Sequence, residues 1–362
     1  MTSLFVDTER LRGLNTGLGQ VCLHLGPALV AQNSARRDRE PWSLTFLVPK
    51  GKAGVFGDSV KYIEASWLRK LWIPGDYDVW HCLHQDSVYL PRRSKLILTI
   101  YDLNFLARAN YSAARKARRL ATLQRKIDRA SLLTAGSGYT ASIVREHLRI
   151  PATLPFVAIG TGVAIRESDA GDASRPSFLA VGDDRPFFFF IGVVQPKKNV
   201  HTLLPLLKAF PDHRLVLAGP DRHAYAQQVR EQAQALGVAG RLLMPGVVDE
   251  ATKAWLYAHC RAFMFPSFSE GFGLPPAEAM TFGKPVFISN LTSLPEVGGD
   301  EAYYFENFEP ESMVQVVRAG LRDFEQDPLR AERSRRRAAA FTWESVAGEY
   351  WKLYERLASQ TR

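Results

Sequence analysis

Short apolar runs alternate along the chain with segments whose apolar residues recur every three or four positions. The first half contains apolar runs at 4–6, 44–48, 79–82, 96–100 and 132–135, and the second half repeats the pattern at 187–191, 214–218, 242–244, 262–265 and 285–288. Short apolar runs separated by helical patterns are typical of buried parallel strands joined by crossover helices. We therefore predict an α/β fold with a parallel sheet in each half.

A polar segment separates the two halves. Residues 166–176 are rich in small and charged side chains, and a second polar patch follows at 182–186. Exposed polar sequence of this kind marks domain boundaries. We predict an N-terminal domain at 1–165, a linker at 166–186 and a C-terminal domain at 187–342. The helical periodicity of 343–357, with Thr342 as a plausible N-cap, predicts a terminal helix.

Positive charge is concentrated in the first half. The 362 residues contain 46 Lys and Arg against 37 Asp and Glu, and residues 1–165 hold 23 of these cations against 12 of the carboxylates. The densest stretch is 115–129, in which Leu120, Leu123 and Ile127 recur at helical spacing. Such a basic amphipathic helix can lie on anionic lipid, bind nucleic acid, or sit on the surface with its leucines in the core.

A second basic segment favours the lipid alternative. Trp67 and Trp72 flank Arg69 and Lys70, a pattern suited to the membrane interface. The sequence contains no helix-turn-helix, zinc-finger or RNP-type motif, so we expect no nucleic-acid partner. An anionic membrane surface, reached through the basic N-terminal domain, is therefore a candidate partner, and a plain surface helix at 115–129 remains the alternative.

The chain shows no signal for insertion into or passage across a membrane. No run approaches the roughly 20 apolar residues that span a bilayer, and residues 1–10 lack the basic start and apolar core of a signal peptide. We expect a cytoplasmic protein, with peripheral attachment to the inner face of the plasma membrane as a variant. Cys22, Cys82 and Cys260 are widely spaced among apolar residues, which predicts buried thiols.

The strongest chemical signal is a glycine-rich turn between an apolar strand and a helix. Glu270 and Glu278 bracket Gly271, Gly273 and the prolines at 275–276, which suit a first helical turn. The glycines let a ligand approach the backbone, and the amino end of the helix attracts an anion such as a diphosphate. Both carboxylates can accept hydrogen bonds from sugar hydroxyls beside that diphosphate. The alternative is that Glu278 only complements the helix dipole and Glu270 is a solvated loop charge.

The first half offers weaker candidates. Gly17 lies in a glycine-rich turn after the first strand, and such turns face the carboxyl edge of a sheet. Asp102 follows the run 96–100, where it could position or deprotonate an acceptor hydroxyl, or only cap the next turn. His81 and His84 also lie at a strand end, where histidine is more often structural than catalytic.

Residues 265–280, together with 283–286 and 293–297, resemble the donor-site signature of retaining glycosyltransferases of family four. The resemblance implies the GT-B architecture, in which two Rossmann-like domains face each other across a cleft and a terminal helix, here 343–362, completes the first domain. It implies a nucleotide diphospho-sugar donor in the C-terminal domain and a glycan or lipid-linked acceptor in the N-terminal domain. The likeness is strongest to members that use GDP-mannose in bacterial surface polysaccharide or lipopolysaccharide synthesis, and UDP-sugars are the alternative.

The resemblance also implies roles for single residues. Glu270 would hold the donor sugar, Glu278 the ribose and Lys198 the diphosphate. The implied donor-binding set is Gly17, Lys198, Val248, Lys253, Glu270, Gly271, Phe272, Gly273, Leu274 and Glu278. The resemblance implies that Glu270 and Lys198 are catalytic, and Asp102, from its place at the end of a strand, completes the predicted catalytic set.

Two positions depart from the family pattern. Val193 stands where many members carry an arginine, so Lys197 is an alternative phosphate contact, and Tyr101 stands where many carry a histidine before the aspartate. These departures keep open a nucleotide-sugar-binding or membrane-surface protein without catalysis, and a GT-B-fold epimerase or phosphorylase is the other alternative.

We expect no metal and no cofactor besides the donor as co-substrate. Asp76 and Asp78 have the spacing of a metal-binding pair but lie in a Pro-Gly turn. In the family, the residue that matches Lys198 and a helix amino end already neutralise the diphosphate.

Overall fold

A computed structural model describes the chain except residue 15, the segments 36–41 and 107–109, residue 172, and residues 180–181 and 361–362. It divides into two compact units: unit 1 comprises Met1–Gly162 and Thr342–Arg362, and unit 2 comprises Val163–Phe341. The segment 166–186, which the sequence suggested as a linker, belongs to unit 2. There Arg335 of unit 2 binds Glu167 with 2.9 Å between Nη2 and Oε1.

Unit 1 is built on a seven-stranded sheet whose paired strands are all parallel. Its strands are β1 (Ser3–Asp7), β2 (Ser43–Val48), β3 (Lys61–Glu64), β4 (Val79–Cys82), β5 (Lys95–Ile100), β6 (Leu132–Ala135) and β7 (Phe156–Ala158). They lie in the order β3-β2-β1-β4-β5-β6-β7. Helices α1 (Gly17–Ala35), α2 (Ala113–Ile127) and α3 (Gly138–His147) connect them. The order reverses at β1, and the carboxyl edge beside such a strand is where α/β sheets bind ligands.

Unit 2 repeats this plan with six parallel strands. They are β8 (Phe187–Ile191), β9 (Arg214–Ala218), β10 (Leu242–Gly246), β11 (Ala262–Phe265), β12 (Val286–Ser289) and β13 (Tyr303–Phe305), in the order β10-β9-β8-β11-β12-β13. The helices are α4 (Leu204–Ala209), α5 (Ala224–Ala235), α6 (Glu250–His259), α7 (Leu274–Thr281), α8 (Leu294–Gly298), α9 (Pro310–Gln326) and α10 (Arg330–Ala339). The predicted α/β fold with two parallel sheets is confirmed.

The three strands that the sequence did not predict share one property. β3, β7 and β13 are edge strands, and their residues are mostly half-buried or exposed. A parallel strand inside a sheet is covered on both faces and reads as a continuous apolar run, whereas an edge strand need not. The apolar pattern therefore revealed the interior of each sheet and missed these edges.

The terminal helix α11 (Trp343–Ser359) packs within unit 1. Thr342 caps it, because its hydroxyl accepts a hydrogen bond from Ser345 N at 3.1 Å. Tyr350, Trp351, Tyr354 and Leu357 are each no more than 3% exposed, so α11 supplies one side of the unit 1 core.

His81 in β4 is a structural residue. Its Nδ1 lies 2.8 Å from the Tyr354 hydroxyl on α11, and its Nε2 lies 2.8 Å from Thr99 Oγ1 on β5. Burial lowers the pKa of His81 to about 3, so the ring is neutral and can donate one of these hydrogen bonds and accept the other. The ring therefore fastens α11 to the sheet.

The basic segment 115–129 forms most of α2, and its apolar stripe lies in the core. Leu123 and Ile127 are 5% and 1% exposed, so the plain surface-helix alternative fits this segment. The predicted buried thiols are confirmed, because Cys22, Cys82 and Cys260 are all free and buried.

Candidate functional site

Two loops at the carboxyl edge of the unit 2 sheet carry most of the predicted site residues. One loop follows β8 and passes through the short 3-10 turn Pro196–Lys198, and the other follows β11 and leads into α7. Because β8 and β11 are neighbours in the sheet, the two loops meet. Phe268 N donates to Lys197 O at 2.8 Å, and Ser267 Oγ lies 3.1 Å from the same oxygen. These bonds fix one loop against the other.

Lys198 and Glu270 form a buried ion pair across these loops. The distance between Nζ and Oε1 is 2.6 Å, and the side chains are 11% and 12% exposed. The Ser267 hydroxyl donates to the same carboxylate oxygen, and Nζ lies 4.7 Å from the centroid of the Phe265 ring. Burial lowers the pKa of Lys198, and the Glu270 carboxylate opposes that effect. The pair is a fixed, water-poor electrostatic element of the kind that stabilises developing charge.

Glu278 lies on the other side of the glycine-rich turn, on α7. The Tyr257 hydroxyl donates to its Oε2 at 2.8 Å, and Lys253 Nζ lies 3.4 Å from its Oε1. Burial alone would lower the pKa of Lys253, but the carboxylates of Glu278 and Glu250 outweigh it and raise that pKa. The Glu278 carboxylate is thus held in one orientation from α6.

The turn itself needs glycine at position 273. Gly273 has φ of +117°, and a Cβ there would lie 2.8 Å from Leu294 Cδ2. Pro275 and Pro276 carry no N–H, so an anion at the amino end of α7 would bind N–H groups of the turn at 272–274. The donors therefore lie in the glycine-rich turn and at the first residue of α7, which refines the expectation that the first helical turn supplies them.

A third loop, after β12, braces this turn. The Ser293 hydroxyl lies 2.7 Å from Phe272 O and 3.1 Å from Glu270 O, and Glu270 N donates to Thr292 Oγ1 at 3.1 Å. Thr292 has φ of +57°, a left-handed conformation that is uncommon for a β-branched residue. Sequence analysis included Ser293 only as part of the family resemblance and missed Thr292, because nothing near Glu270 in the sequence points to this loop.

Sequence analysis also missed Tyr257, although a signal existed. Tyr257 follows Lys253 by four positions on α6, so both side chains lie on one face of the helix. Val248, which the family resemblance includes in the donor-binding set, packs partly buried against the unit 2 core, while its neighbour Val247 is 73% exposed.

The remaining predicted residues belong to unit 1. Gly17 is exposed at the start of α1 and an added Cβ would meet open space, whereas a Cβ on Gly19 would lie 2.1 Å from Gly13 O. Position 19, and not position 17, therefore has no room for a side chain. Sequence analysis did not single out Gly19. Asp102 Oδ1 accepts a hydrogen bond from Asn104 N at 2.9 Å, the geometry of the turn-capping alternative.

A cavity of about 400 Å³ lies at the carboxyl edge of the unit 1 sheet, and His84 lines it. His84 is 2% exposed, and neither ring nitrogen has a hydrogen-bond partner among the described residues. Its Nε2 lies 3.9 Å from Oδ2 of the buried Asp7. Burial lowers the pKa of His84 to about 3 and raises that of Asp7 to about 6. The imidazole is therefore neutral at pH 7 and retains a lone pair.

The lining of this cavity is basic. Four cations and two carboxylates line it: Arg10, Arg12, Lys50, Lys70, Glu9 and Asp86. Arg12 pairs with Glu9 at 2.7 Å, and Asp86 pairs with Arg119 of α2 at 3.1 Å. The excess of positive charge would attract an anion.

Over the described ranges, no cluster of three or more His, Cys, Asp or Glu side chains is arranged to bind a metal ion. The Asp78 carboxylate instead accepts hydrogen bonds from Ser3 N at 2.7 Å and Ser3 Oγ at 2.8 Å. Within the same part of the chain, no helix has the length and apolar character needed to span a bilayer.

Comparison with known proteins gives consistent matches. Residues 175–340 match the family described as "Glycosyl transferases group 1". The chain is 28% identical over 302 residues to the O-antigen chain mannosyltransferase B of Escherichia coli. The aligned residues cover 80% of this chain and 77% of that protein. It is 32% identical over 143 residues to the serotype-specific mannosyltransferase WbdA of Escherichia coli, covering 38% of this chain and 18% of that one. The structure of sucrose-phosphate synthase from Thermosynechococcus elongatus superposes with a TM-score of 0.72 at 17% identity, over 99% of this chain and 100% of that one. These likenesses confirm the predicted GT-B architecture.

Proposed function

The protein is a glycosyltransferase with a group 1 domain at residues 175–340, and from that premise we propose that it transfers mannose, or a related hexose, from a GDP-linked donor. The proposed acceptor is a glycan or lipid-linked glycan of a cell-surface polysaccharide. The two Escherichia coli relatives named as mannosyltransferases support the choice of sugar. The observation that carries the proposal is the buried pair of Lys198 and Glu270 beside the glycine-rich turn.

In the proposed complex, Lys198 and the N–H groups of 272–274 bind the donor diphosphate. Glu278 accepts hydrogen bonds from the ribose, and Glu270 accepts them from the hexose. Lys198 stabilises the charge that grows on the departing diphosphate, which lowers the barrier to transfer. Glu270 positions the sugar and does not attack its anomeric carbon. The anomeric configuration is retained because the acceptor oxygen attacks from the face on which the diphosphate departs, and the leaving phosphate helps to deprotonate the acceptor. No metal or other cofactor is part of this proposal.

We propose that the unit 1 cavity holds the acceptor. Its basic lining suits a phosphate or diphosphate carried by the acceptor. His84, neutral at pH 7 and without a partner among the described residues, can accept a hydrogen bond from an acceptor hydroxyl. This assignment gives His84 the role first considered for Asp102, whose carboxylate caps a turn. We also propose a cytoplasmic location at the inner face of the plasma membrane, to which the basic N-terminal half draws the protein.

A thermal-shift screen with GDP, UDP, ADP and their sugar conjugates tests the donor site. A ligand that binds only the folded state stabilises it by about 2.7 kcal/mol at one hundred times its Kd. We expect GDP and GDP-mannose to raise Tm in the parent and to lose this effect in Lys198→Met. Lys208→Met, an exposed lysine on α4, is the matched control and should behave like the parent.

The same experiment separates the alternatives. If no nucleotide raises Tm at millimolar concentration, or if Lys198→Met responds like the parent, the donor-site assignment is wrong. Nucleotide binding without mannose transfer to any acceptor glycan would instead identify a binding protein. Release of altered sugar nucleotide without an acceptor would identify an epimerase.

A further inference from the structure

The largest run of exposed apolar side chains in the described part of unit 1 lies at residues 67–72. Trp67 and Leu71 are each 70% exposed, and Leu68 and Trp72 are each 56% exposed. A soluble surface tolerates single exposed apolar residues, but four large ones within six positions indicate an interaction site. We call residues 67–72 the anchor turn.

The backbone of the anchor turn is already closed on itself. Residues Leu68–Lys70 form one turn of 3-10 helix, Leu71 N donates to Leu68 O at 3.0 Å, and Trp72 N donates to the same oxygen at 3.2 Å. Polar backbone groups that are paired within the turn need no water, so the turn can enter an apolar phase without leaving these donors unsatisfied. The four apolar side chains of the anchor turn can therefore be buried at the same time without leaving these backbone N–H groups unpaired.

Cations surround this apolar surface. Arg69 and Lys70 lie within the anchor turn, and the exposed Arg92 and Arg93 line a surface cavity of about 240 Å³ with Leu71 and Trp72. Tryptophan and leucine side chains flanked by Arg and Lys match the headgroup level of an anionic bilayer, where apolar atoms meet acyl chains and cations meet phosphates.

The basic helix α2 does not offer a comparable surface. Its apolar stripe faces the unit 1 core, with Leu123 and Ile127 almost fully buried. α2 can attract anionic lipid through exposed arginines such as Arg115 and Arg118, but it has no apolar face to insert. The apolar contribution must come from elsewhere in unit 1.

From this geometry we propose that the anchor turn inserts into the headgroup region of an anionic membrane and docks unit 1 there. Trp67 and Lys70 also line the 400 Å³ cavity, so docking would bring the lining of that cavity to the level of the lipid phosphates. This second step rests on the proposed function, because it is the acceptor that would be presented from the membrane. The anchor turn thus contributes both attachment and orientation.

Vesicle sedimentation of the full-length protein tests the proposal. The probes are vesicles of phosphatidylcholine alone and vesicles with about 30 mol % phosphatidylglycerol. We expect the parent to bind the anionic vesicles, and the double variant Leu71→Ser/Trp72→Ser to lower the partition coefficient by more than about tenfold. GDP should still raise its Tm as in the parent, because the donor site lies in unit 2.

Two further variants act as controls. Leu329→Ser removes an apolar side chain that is 64% exposed in unit 2 and should leave vesicle binding unchanged. Arg115→Gln/Arg118→Gln should weaken binding without removing the effect of Leu71→Ser/Trp72→Ser. If Arg115→Gln/Arg118→Gln abolishes vesicle binding while Leu71→Ser/Trp72→Ser binds like the parent, then α2 and not the anchor turn contacts the membrane, and the proposal is overturned.

Other outcomes are equally decisive. If GDP stabilises the parent but neither vesicle type binds it, the anchor is refuted while the proposed function stands. If vesicles bind but no nucleotide raises Tm, the proposed function fails and the anchor stands. If Leu71→Ser/Trp72→Ser converts a dimer to a monomer in the absence of vesicles, the turn contacts a second copy of the chain and the membrane proposal is wrong.

Discussion

Glu270→Gln removes the negative charge beside a buried lysine while keeping the shape of the side chain. Lys198 Nζ lies 2.6 Å from Glu270 Oε1, and both side chains are only about one-tenth exposed. Removing one partner of a buried ion pair costs about 3–5 kcal/mol, because the other charge stays buried without compensation. We expect the lower end, about 3 kcal/mol, since the Phe265 ring still contacts Lys198 and the glutamine oxygen can still accept a hydrogen bond.

This loss translates into a measurable change in melting temperature. For domains of 150–250 residues, 1 kcal/mol shifts Tm by about 2–4 °C, so unit 2 should melt roughly 6–12 °C lower in Glu270→Gln. GDP should recover more of the Tm in the variant than it adds to the parent, because a diphosphate near Lys198 replaces the missing negative charge. Mannose transfer should nevertheless be lost, since Glu270 is proposed to hold the hexose.

Differential scanning calorimetry with and without GDP measures both effects. Glu250→Gln is the matched control: its carboxylate lies 2.6 Å from Lys253 Nζ but is 85% exposed, and exposed pairs contribute about 0–1 kcal/mol. A Glu270→Gln variant that melts within about 2 °C of the parent would refute the buried-charge argument. A smaller GDP effect in the variant than in the parent would show that Lys198 does not meet the diphosphate.

Two further predictions concern nucleotide binding and pH. Tyr257→Phe removes the hydroxyl that binds Glu278 and should weaken GDP binding about three- to tenfold by calorimetric titration, with unchanged affinity as the contrary result. Stability should fall below pH 6.5, because His81 and His84 have pKa values near 3 when folded and near 6.5 when unfolded, so protons favour the unfolded chain by about 2 kcal/mol per histidine at pH 5. Asp7, with a pKa raised to about 6, opposes this by about 1.4 kcal/mol, because its folded form gains a proton first as pH falls. Urea denaturation at pH 7 and pH 5 should show a net loss of roughly 2.5 kcal/mol, and equal stability at both values would contradict the assignment of neutral buried imidazoles.

The sequence predicted those parts of the fold whose pattern is local. Strands such as β8, with four consecutive buried phenylalanines, are covered on both faces and show it directly in the sequence. The edge strand β3 has an exposed residue at each end and two half-buried residues between them, so no apolar run marks it. Burial on both faces, rather than strand formation itself, is what the apolar pattern reports.

The candidate site also contains residues that a local motif indicates and residues that only the strand order brings together. Glu270 and Glu278 lie within one short motif and were found, whereas Thr292 reaches Glu270 only because β11 and β12 are neighbours in the sheet. The sequence identifies His84 only as a residue at a strand end, because its burial beside Asp7 depends on β1 and β4 being adjacent in the sheet. Residues that meet only because their strands are neighbours in the sheet lie far apart in the sequence, so no motif or spacing along the chain indicates the contact.

The placement of α11 sets the order in which the protein can fold as it is synthesised. All of unit 2 lies between Gly162 and Thr342, so the ribosome completes unit 2 before it makes the helix that unit 1 requires. Until then, the surface that will receive Tyr350, Trp351 and Tyr354 has no cover. Unit 2 can therefore fold while the chain is still growing, but unit 1 must wait with part of its core open, a stage at which chaperone binding or aggregation would compete with folding.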